Sequence, residues 1–415
     1  MTAPLHDGLR EAFGSGDAEA AKTLLAQAAD QLAVLRTAGN AKALASLADE
    51  LAAVYGEVGE AELSVELCEQ RGFLCALVRM ARPEAKGPVP SPQRRYTTRT
   101  LARRRAHDRV RVAVLSGGVS SEREESLRSG AAVCGALRGA AYQVQDIDVR
   151  EMALGDLSPR RVDVAFVALR GTYGEDGGVQ QALETMGVPY TGSGVEASRR
   201  AADKIAAKKL FRGAGVTTPA FVEVEAEWAE PLKLRAARSL GFPVVLKPAC
   251  EGSSFGVTLA NSADELAAAL HEPFQYDTRA LVEQYVGGRE LTVGILDERP
   301  LPMVELAYDA PLLTYDVRHA AGAVRRVVHP ELAPEVAATV QSTALAAHRS
   351  LGCRGCTRVD VRLRSDGVPC VLEVNTLPLI APDGLVAEAA GAAGLSFPEL
   401  CEHLLELATS DGSAA

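Results

Sequence analysis

The stretch "RVDVRLRSDGVPCVLEVN", residues 358–375, decides the fold. Two alternating apolar and polar runs flank Asp366-Gly367, and Asp-Gly tolerates the positive φ that a type I′ turn requires, so the spacing predicts a two-residue β-hairpin. Ser365 then pairs with Val368, Asp360 faces Glu373 and Arg358 faces Asn375. Paired residues share a face, so these four side chains collect on one side. Val359, Val361, Leu363, Cys370, Leu372 and Val374 form the other, apolar side. Two carboxylates and an amide oxygen are hard-oxygen chemistry suited to Mg²⁺, which shares carboxylate, phosphate and water ligands. The same face also reads as a solvated surface with one cross-strand ion pair.

At 415 residues the chain is long enough for about two to four domains. Its net charge of −10 argues against general nucleic-acid binding. No apolar run is long enough to span a membrane, and the start "MTAPLHDGLREAF" lacks the regions of a signal peptide, so a cytoplasmic protein without membrane attachment is expected. Eight cysteines in such a chain read as reduced, mostly buried thiols. "CRGC" at 353–356 lacks the second ligand pair that a zinc site needs.

Residues 1–80 are rich in Ala and Leu with helical periodicity, and "LADELAAVYGEVGEAELSVELCEQRGFL" resembles a tetratricopeptide hairpin. This all-α extension reads either as a partner or dimerisation module or as a passive appendage. Residues 81–109 form a linker rich in Pro and Arg, with nine of the 44 Lys/Arg but only two of the 54 Asp/Glu. Such a segment is expected to lie on the protein's own acidic surface. From 110 onward strands and helices alternate: "VRVAVLSGG", then the helix "SEREESLRSGAAVCGAL", then the strands "VDVAFVAL", "GFPVVLKPA", "ALVEQYV" and "GRELTVGIL". This is α/β architecture in several subdomains, expected at 110–203, 204–285 and 286–415.

"KPACEGSSFGV", residues 247–257, sets a lysine at a strand end before a loop of small residues whose N–H groups can approach phosphate oxygens. Glycine-serine loops are common turns, but Lys204 upstream and the oxygen-rich hairpin downstream strengthen the phosphate reading. Taken in order, "SSEREESLRSG", "GTYGEDGGVQ", "PYTGSGVEAS", "ADK", "GFPVVLKPACEGSSFGV", "LVEQYVGGRELTVGIL", "LGCRGCTRVDVRL" and "LEVNTLP" resemble the D-alanine:D-alanine ligases of the ATP-grasp superfamily over residues 110–409.

The resemblance implies an ATP-grasp fold and an ADP-forming ligase that makes a dipeptide through an acyl phosphate, feeding peptidoglycan synthesis. It implies that Lys204 and Lys247 contact ATP phosphates, with the loop of Glu251, Gly252, Ser253, Ser254 and Gly256 closing over them. Glu283 and Val286 would line the adenine pocket and Glu290 would hold the ribose. Asp360, Glu373 and Asn375 match ligands of two Mg²⁺ ions, with Mn²⁺ as an alternative, and Arg358 matches the arginine on the transferring phosphoryl group. Glu122, with Ser253 as its partner, matches the acid that binds the first amino acid's ammonium. Such ligases act on small amino acids, and a homodimer is expected.

Departures fall on the amino-acid side. Arg170 stands where the family carries histidine, Leu379 where a glycine N–H helps form the oxyanion site, and Gly384, beside Leu385, where a serine grips the second substrate. In the loop "APLLTYDVRHAAGAVRR", Tyr315, Arg318 and His319 stand near the usual lysine-tyrosine pair. Two further readings therefore stand beside the first: a paralogous ligase joining a different amino or hydroxy acid, and a nucleotide-binding scaffold. A complete set of phosphate and metal residues argues against the scaffold.

Overall fold

A computed structural model of the chain describes residues 110–150, 157–158 and 160–411, and part of the first 54. It comprises two compact units, Met1–Arg94 and Arg95–Ala415. In the first, Leu5–Ser15 is a helix (α1) that buries Leu9, Ala12 and Phe13, spaced to share one stripe. The tetratricopeptide-like hairpin, apart from Leu47 and Val54, and the linker expected at 81–109 lie outside the described residues.

The second unit holds three sheets that follow one another along the chain. The first is parallel, in the order β2-β1-β3, from β1 (Arg111–Ser116), β2 (Gln143–Asp148) and β3 (Val164–Val167). Parallel neighbours need a crossover, which α2 (Arg123–Gly139) supplies between β1 and β2. Val112 and Val114 face one apolar cluster and Ala113 and Leu115 another, so β1 is apolar on both faces and reads as a continuous hydrophobic run. Three helices follow, α3 (Gly178–Met186), α4 (Val195–Ala202) and α5 (Lys204–Gly213).

The second sheet is antiparallel, in the order β4-β7-β5-β6, from β4 (Phe221–Glu225), β5 (Val244–Pro248), β6 (Thr258–Ala260) and β7 (Arg279–Gln284). Helices α6 (Glu230–Arg238) and α7 (Ala263–Ala269) bury its Val224, Leu246 and Val282 against Ala237 and Leu266.

The third runs β11-β10-β8-β12-β13, with β9 on β8: β8 (Arg289–Leu296), β9 (Arg299–Pro300), β10 (Val304–Ala307), β11 (Arg325–Val328), β12 (Cys356–Leu363) and β13 (Pro369–Asn375). A short helix α8 (Tyr315–His319) precedes β11, and α9 (Pro334–Leu351) packs with α5 on one face. The chain closes with α10 (Leu385–Ala392) and α11 (Phe397–Asp411). Among the described residues no helix is long and apolar enough to cross a membrane.

The hairpin of β12 and β13 departs from expectation at two points. Its turn is a three-residue loop: Arg364 N–H donates to Val368 O at 3.1 Å, Gly367 N–H donates to Arg364 O at 3.0 Å, and only Gly367 takes a positive φ, of 81°. A type I turn ending on a left-handed glycine spares Asp366 that conformation. The ladder starts one residue out of the expected register, and a bulge between Asp360 and Val361 restores it. Val371 therefore enters the core in place of Leu372, which turns into the cavity described below. Beyond the bulge Asp360 pairs with Glu373 and Arg358 with Asn375, as expected.

Candidate active site

The loops that follow β1 and β3 and residues of the second and third sheets line one cavity of about 510 Å³. At its cationic end, Lys204 opens α5, whose first turn Asp203 caps by accepting from Ile205 N–H at 2.9 Å and Ala206 N–H at 3.0 Å. The Lys204 ammonium donates to the Glu251 carbonyl at 2.5 Å and lies 3.6 Å from Glu373. Lys247, on β5, pairs with Glu283. The loop after β5 brings Glu251, Gly252, Ser253 and Ser254 to the wall. Ser253 and Ser254 sit at φ of 47° and 61°, a conformation that costs non-glycine residues energy and clusters at ligand-binding loops. Gly256 follows at φ 64°, where a Cβ would come within 2.7 Å of the Tyr276 ring and 2.9 Å of Pro248. Between them Phe255 stacks on Tyr315 of α8, ring centres 4.5 Å apart.

The oxygen-rich face lies on the floor. Arg358 donates through Nε and Nη2 to the two oxygens of Asp360, each at 3.0 Å, and Thr292 donates to Asp360 at 2.7 Å. Burial pushes the Glu373 carboxyl up, but Lys204, Lys247, Arg358 and Arg318 outweigh it and hold the group at about 2, ionised at neutral pH. Asn375 accepts from Leu377 N–H at 2.9 Å. Among the described residues no cluster of three or more His, Cys, Asp or Glu is placed to hold a metal alone. The facing oxygens of Asp360, Glu373 and Asn375 fit a hard cation that completes its shell with phosphate and water, as Mg²⁺ does.

At the other end, Ser253 donates to Glu122 at 2.5 Å. Arg170, 9% exposed, donates to Glu122 at 3.2 Å and to the Leu377 carbonyl at 2.6 Å and pairs with Glu175. Burial is the main force raising the Glu175 carboxyl above its ordinary range, and Glu122 adds to it against the opposing charge of Arg170. Arg318 also lines the cavity, and its buried Nε has no hydrogen-bond partner among the described residues. His319 ends α8, and its side chain lies outside the described residues.

Six of the expected site residues, Gly256, Glu283, Val286, Leu379, Gly384 and Leu385, do not line this cavity. Glu283 sits behind it, accepting from Lys208 at 2.8 Å and pairing with Lys247. Burial opposes its charge, but the two lysines hold it at about 2. Glu290 lines the cavity but is held by Tyr308 and by Arg362 at 3.0 Å, while Arg362 also donates to the Val286 carbonyl at 3.0 Å. Lys208, Glu175, Tyr308 and Arg362 were not singled out from the sequence. Lys208 was legible, because it stands one helical turn after Lys204 on the same face. In "CRGC" Cys353 and Cys356 are buried free thiols, and burial raises both to about 12.

Residues 210–406 match the family described as D-ala D-ala ligase C-terminus, and residues 152–193 match D-ala D-ala ligase N-terminus. A D-alanine–D-alanine ligase of Desulforudis audaxviator is 43% identical over 302 residues, 72% of this chain and 98% of that protein. One from Anaeromyxobacter sp. (strain Fw109-5) is 45% identical over 297 residues, covering 71% and 96%. The D-alanine–D-alanine ligase of Bacillus anthracis complexed with ATP superposes with a TM-score of 0.65 at 32% identity, covering 74% of this chain and 99% of that one.

Proposed function

The chain belongs to the D-alanine–D-alanine ligase family, with its mixed α/β, ATP-grasp-like fold, and on that premise we propose that it joins two D-alanine molecules at the expense of ATP. One observation carries the reading: Lys204, Lys247, Arg318 and Arg358 converge with Asp360, Glu373 and Asn375 in the cavity whose far end holds Glu122 and Ser253. Such a site neutralises a polyphosphate at one end and takes an ammonium at the other.

A carboxylate is a poor electrophile. In the proposed reaction a carboxylate oxygen of the first D-alanine attacks the γ-phosphorus, the bond to ADP breaks and an acyl phosphate forms. The amine of the second D-alanine then attacks the acyl carbon, loses a proton and displaces phosphate. Lys204 and Lys247 bind the phosphates under the 251–256 loop, Arg358 follows the charge of the transferring group, and Glu122 with Ser253 orients the first ammonium. Asp360, Glu373 and Asn375 would hold Mg²⁺, two ions in the full assignment, which when bound neutralise phosphate charge. The subdomain boundaries we assign fall near 203 and 285. For Glu283 we propose a supporting role, holding Lys247 in place, which fits its burial behind the cavity better than an adenine contact.

A second reading, a ligase for a different amino or hydroxy acid, is favoured by Arg170 already occupying Glu122 and by the absence of a side chain at Gly384. ADP release with Mg²⁺ATP against D- and L-amino acids and hydroxy acids, with product masses, separates the two. The expected result is the D-alanine dipeptide. No turnover on D-alanine with turnover on another pair would replace the first reading with the second.

A further inference from the structure

Strand β7 belongs to the second sheet, and its alternate residues Arg279, Leu281 and Glu283 point to one side, because side chains on a strand repeat every two residues. That side meets the start of α5. Glu283 pairs with Lys208 of α5 and with Lys247. Leu281, fully buried, forms a small apolar cluster with Ile205 and Ala249. Arg279 reaches the helix start, where its Nη2 donates to Asp203 Oδ2 at 2.7 Å.

The two carboxylate oxygens of Asp203 take different donors. Oδ1 accepts from the Ile205 and Ala206 N–H groups at 2.9 and 3.0 Å and so caps α5, while Oδ2 takes Arg279. Burial opposes the Asp203 charge, but the Ala206 N–H and Arg279 outweigh it and hold the carboxyl below its ordinary range. The backbone closes the circuit: Lys204 N–H donates to Ala249 O at 2.9 Å, and Ala249 N–H donates to the Arg279 carbonyl at 3.0 Å. Asp277 accepts from the N–H groups of Cys250 and Arg279, at 2.9 and 3.1 Å. Arg279 Nη2 also reaches Cys250 Sγ at 3.7 Å, and its Nη1 lies 3.5 Å from Glu223 of β4. Asp203, Lys204 and Cys250 all line the cavity, so one guanidinium ties the start of α5 to the root of the phosphate loop.

A planar fork holds several acceptors at once, where a lysine is a single point charge. We infer that Arg279 is a positioning residue for Lys204: by clasping the capping carboxylate of α5 to β7, it fixes where the Lys204 ammonium stands at the phosphate end of the cavity. With Glu283 behind Lys247, one face of β7 then sets both lysines of that end. The clasp is a property of the fold, and only the names of the nucleotide and the acceptor rest on the ligase reading.

The test is a mutant cycle on the full chain. Arg279→Met removes the guanidinium, Arg279→Lys keeps a cation, and Asp203→Asn keeps a capping oxygen while turning an NH2 toward Arg279. These and the Arg279→Met/Asp203→Asn double are compared for KM of ATP, KM of D-alanine, kcat, thermal midpoint and the calorimetric Kd of Mg²⁺ADP. Arg279→Met and Asp203→Asn are each expected to raise KM for ATP and the Kd of Mg²⁺ADP at least about fivefold, and to leave KM for D-alanine within about twofold. Arg279→Lys is expected to recover part of the loss, and the double to be no weaker than the worse single, because both singles open the same clasp. A KM for ATP within about twofold of the parent's in Arg279→Met, whatever its midpoint, would overturn the inference and leave only a structural ion pair. A double whose loss is the product of the two singles would overturn it as well. Asp203→Asn, which keeps the cap, carries the same test if Arg279→Met does not fold. If the parent releases no ADP with D-alanine, the ligase reading fails, and the cycle in the Kd of Mg²⁺ADP still decides the inference.

Discussion

Glu283→Gln removes one negative charge from between two cations while keeping the side chain's volume. Lys208 is fully buried, and among the described residues its ammonium donates, apart from Glu283, only to the Thr218 hydroxyl, at 2.8 Å. The substitution leaves a buried cation beside a neutral amide, and breaking a buried pair in this way costs about 3–5 kcal/mol. At roughly 2–4 °C per kcal/mol for a domain of this order of size, the thermal midpoint should fall on the order of 10 °C. Burial already lowers the Lys208 pKa, so loss of its proton relieves part of the penalty, and the deficit should narrow as pH rises. Scanning fluorimetry from pH 6 to 10 on Glu283→Gln, Lys208→Met and the double variant reads all of this. The double variant should be more stable than Glu283→Gln, because no charge is stranded. Lys247 loses its inner partner, so KM for ATP should rise while KM for D-alanine holds. A shift under about 2 °C, or a double variant that simply sums the singles, would refute a buried lysine–carboxylate–lysine chain behind the phosphate end.

Glu373→Gln should lower ADP release by at least about 100-fold in a protein that still folds; unchanged turnover would remove it from the metal face. Ser253→Ala breaks a charge-assisted hydrogen bond to Glu122, worth about 1.5–3 kcal/mol, so KM for D-alanine should rise roughly 10- to 100-fold in steady-state assays. Chelation by EDTA should abolish turnover and added Mg²⁺ should restore it; full activity in EDTA would dismiss the hard-cation site. Asp148, held at about 2 chiefly by its hydrogen bonds with Arg123, and Glu283, held at about 2, have folded values below their unfolded ones. Their stabilisation is complete above the ordinary carboxylate range and disappears as pH falls through it toward 2, so urea midpoints should drop between about pH 5 and 3; a flat profile there would contradict these assignments.

The sequence by itself determined strands β1, β3, β5, β7, β8, β12 and β13 and the facing pairs Asp360–Glu373 and Arg358–Asn375, because a period of two and a turn signal are local properties of the chain. It did so through two errors that offset each other. The turn is one residue longer than Asp-Gly suggests, and the bulge at Leu372 returns that residue before the site is reached. Sequence order also exposed the phosphate loop and Lys204, since small residues after a strand and a lysine at a helix start need no distant partner to be recognised. Only the tertiary structure decided which charges neutralise one another. Glu283 is drawn behind the cavity by Lys208, 75 positions earlier on α5, and Arg170 reaches across to Leu377, 207 positions later. Glycine at 384 is likewise explained by the folded path of the chain, which brings the Leu379 carbonyl within 2.6 Å of where a Cβ would lie, with the flanking Leu377 bonded to Arg170 and Asn375 and Ile380 to Ser129. In a low-dielectric interior a charge must find a partner wherever packing brings one, and that choice is made by the fold as a whole and not by neighbours in the chain.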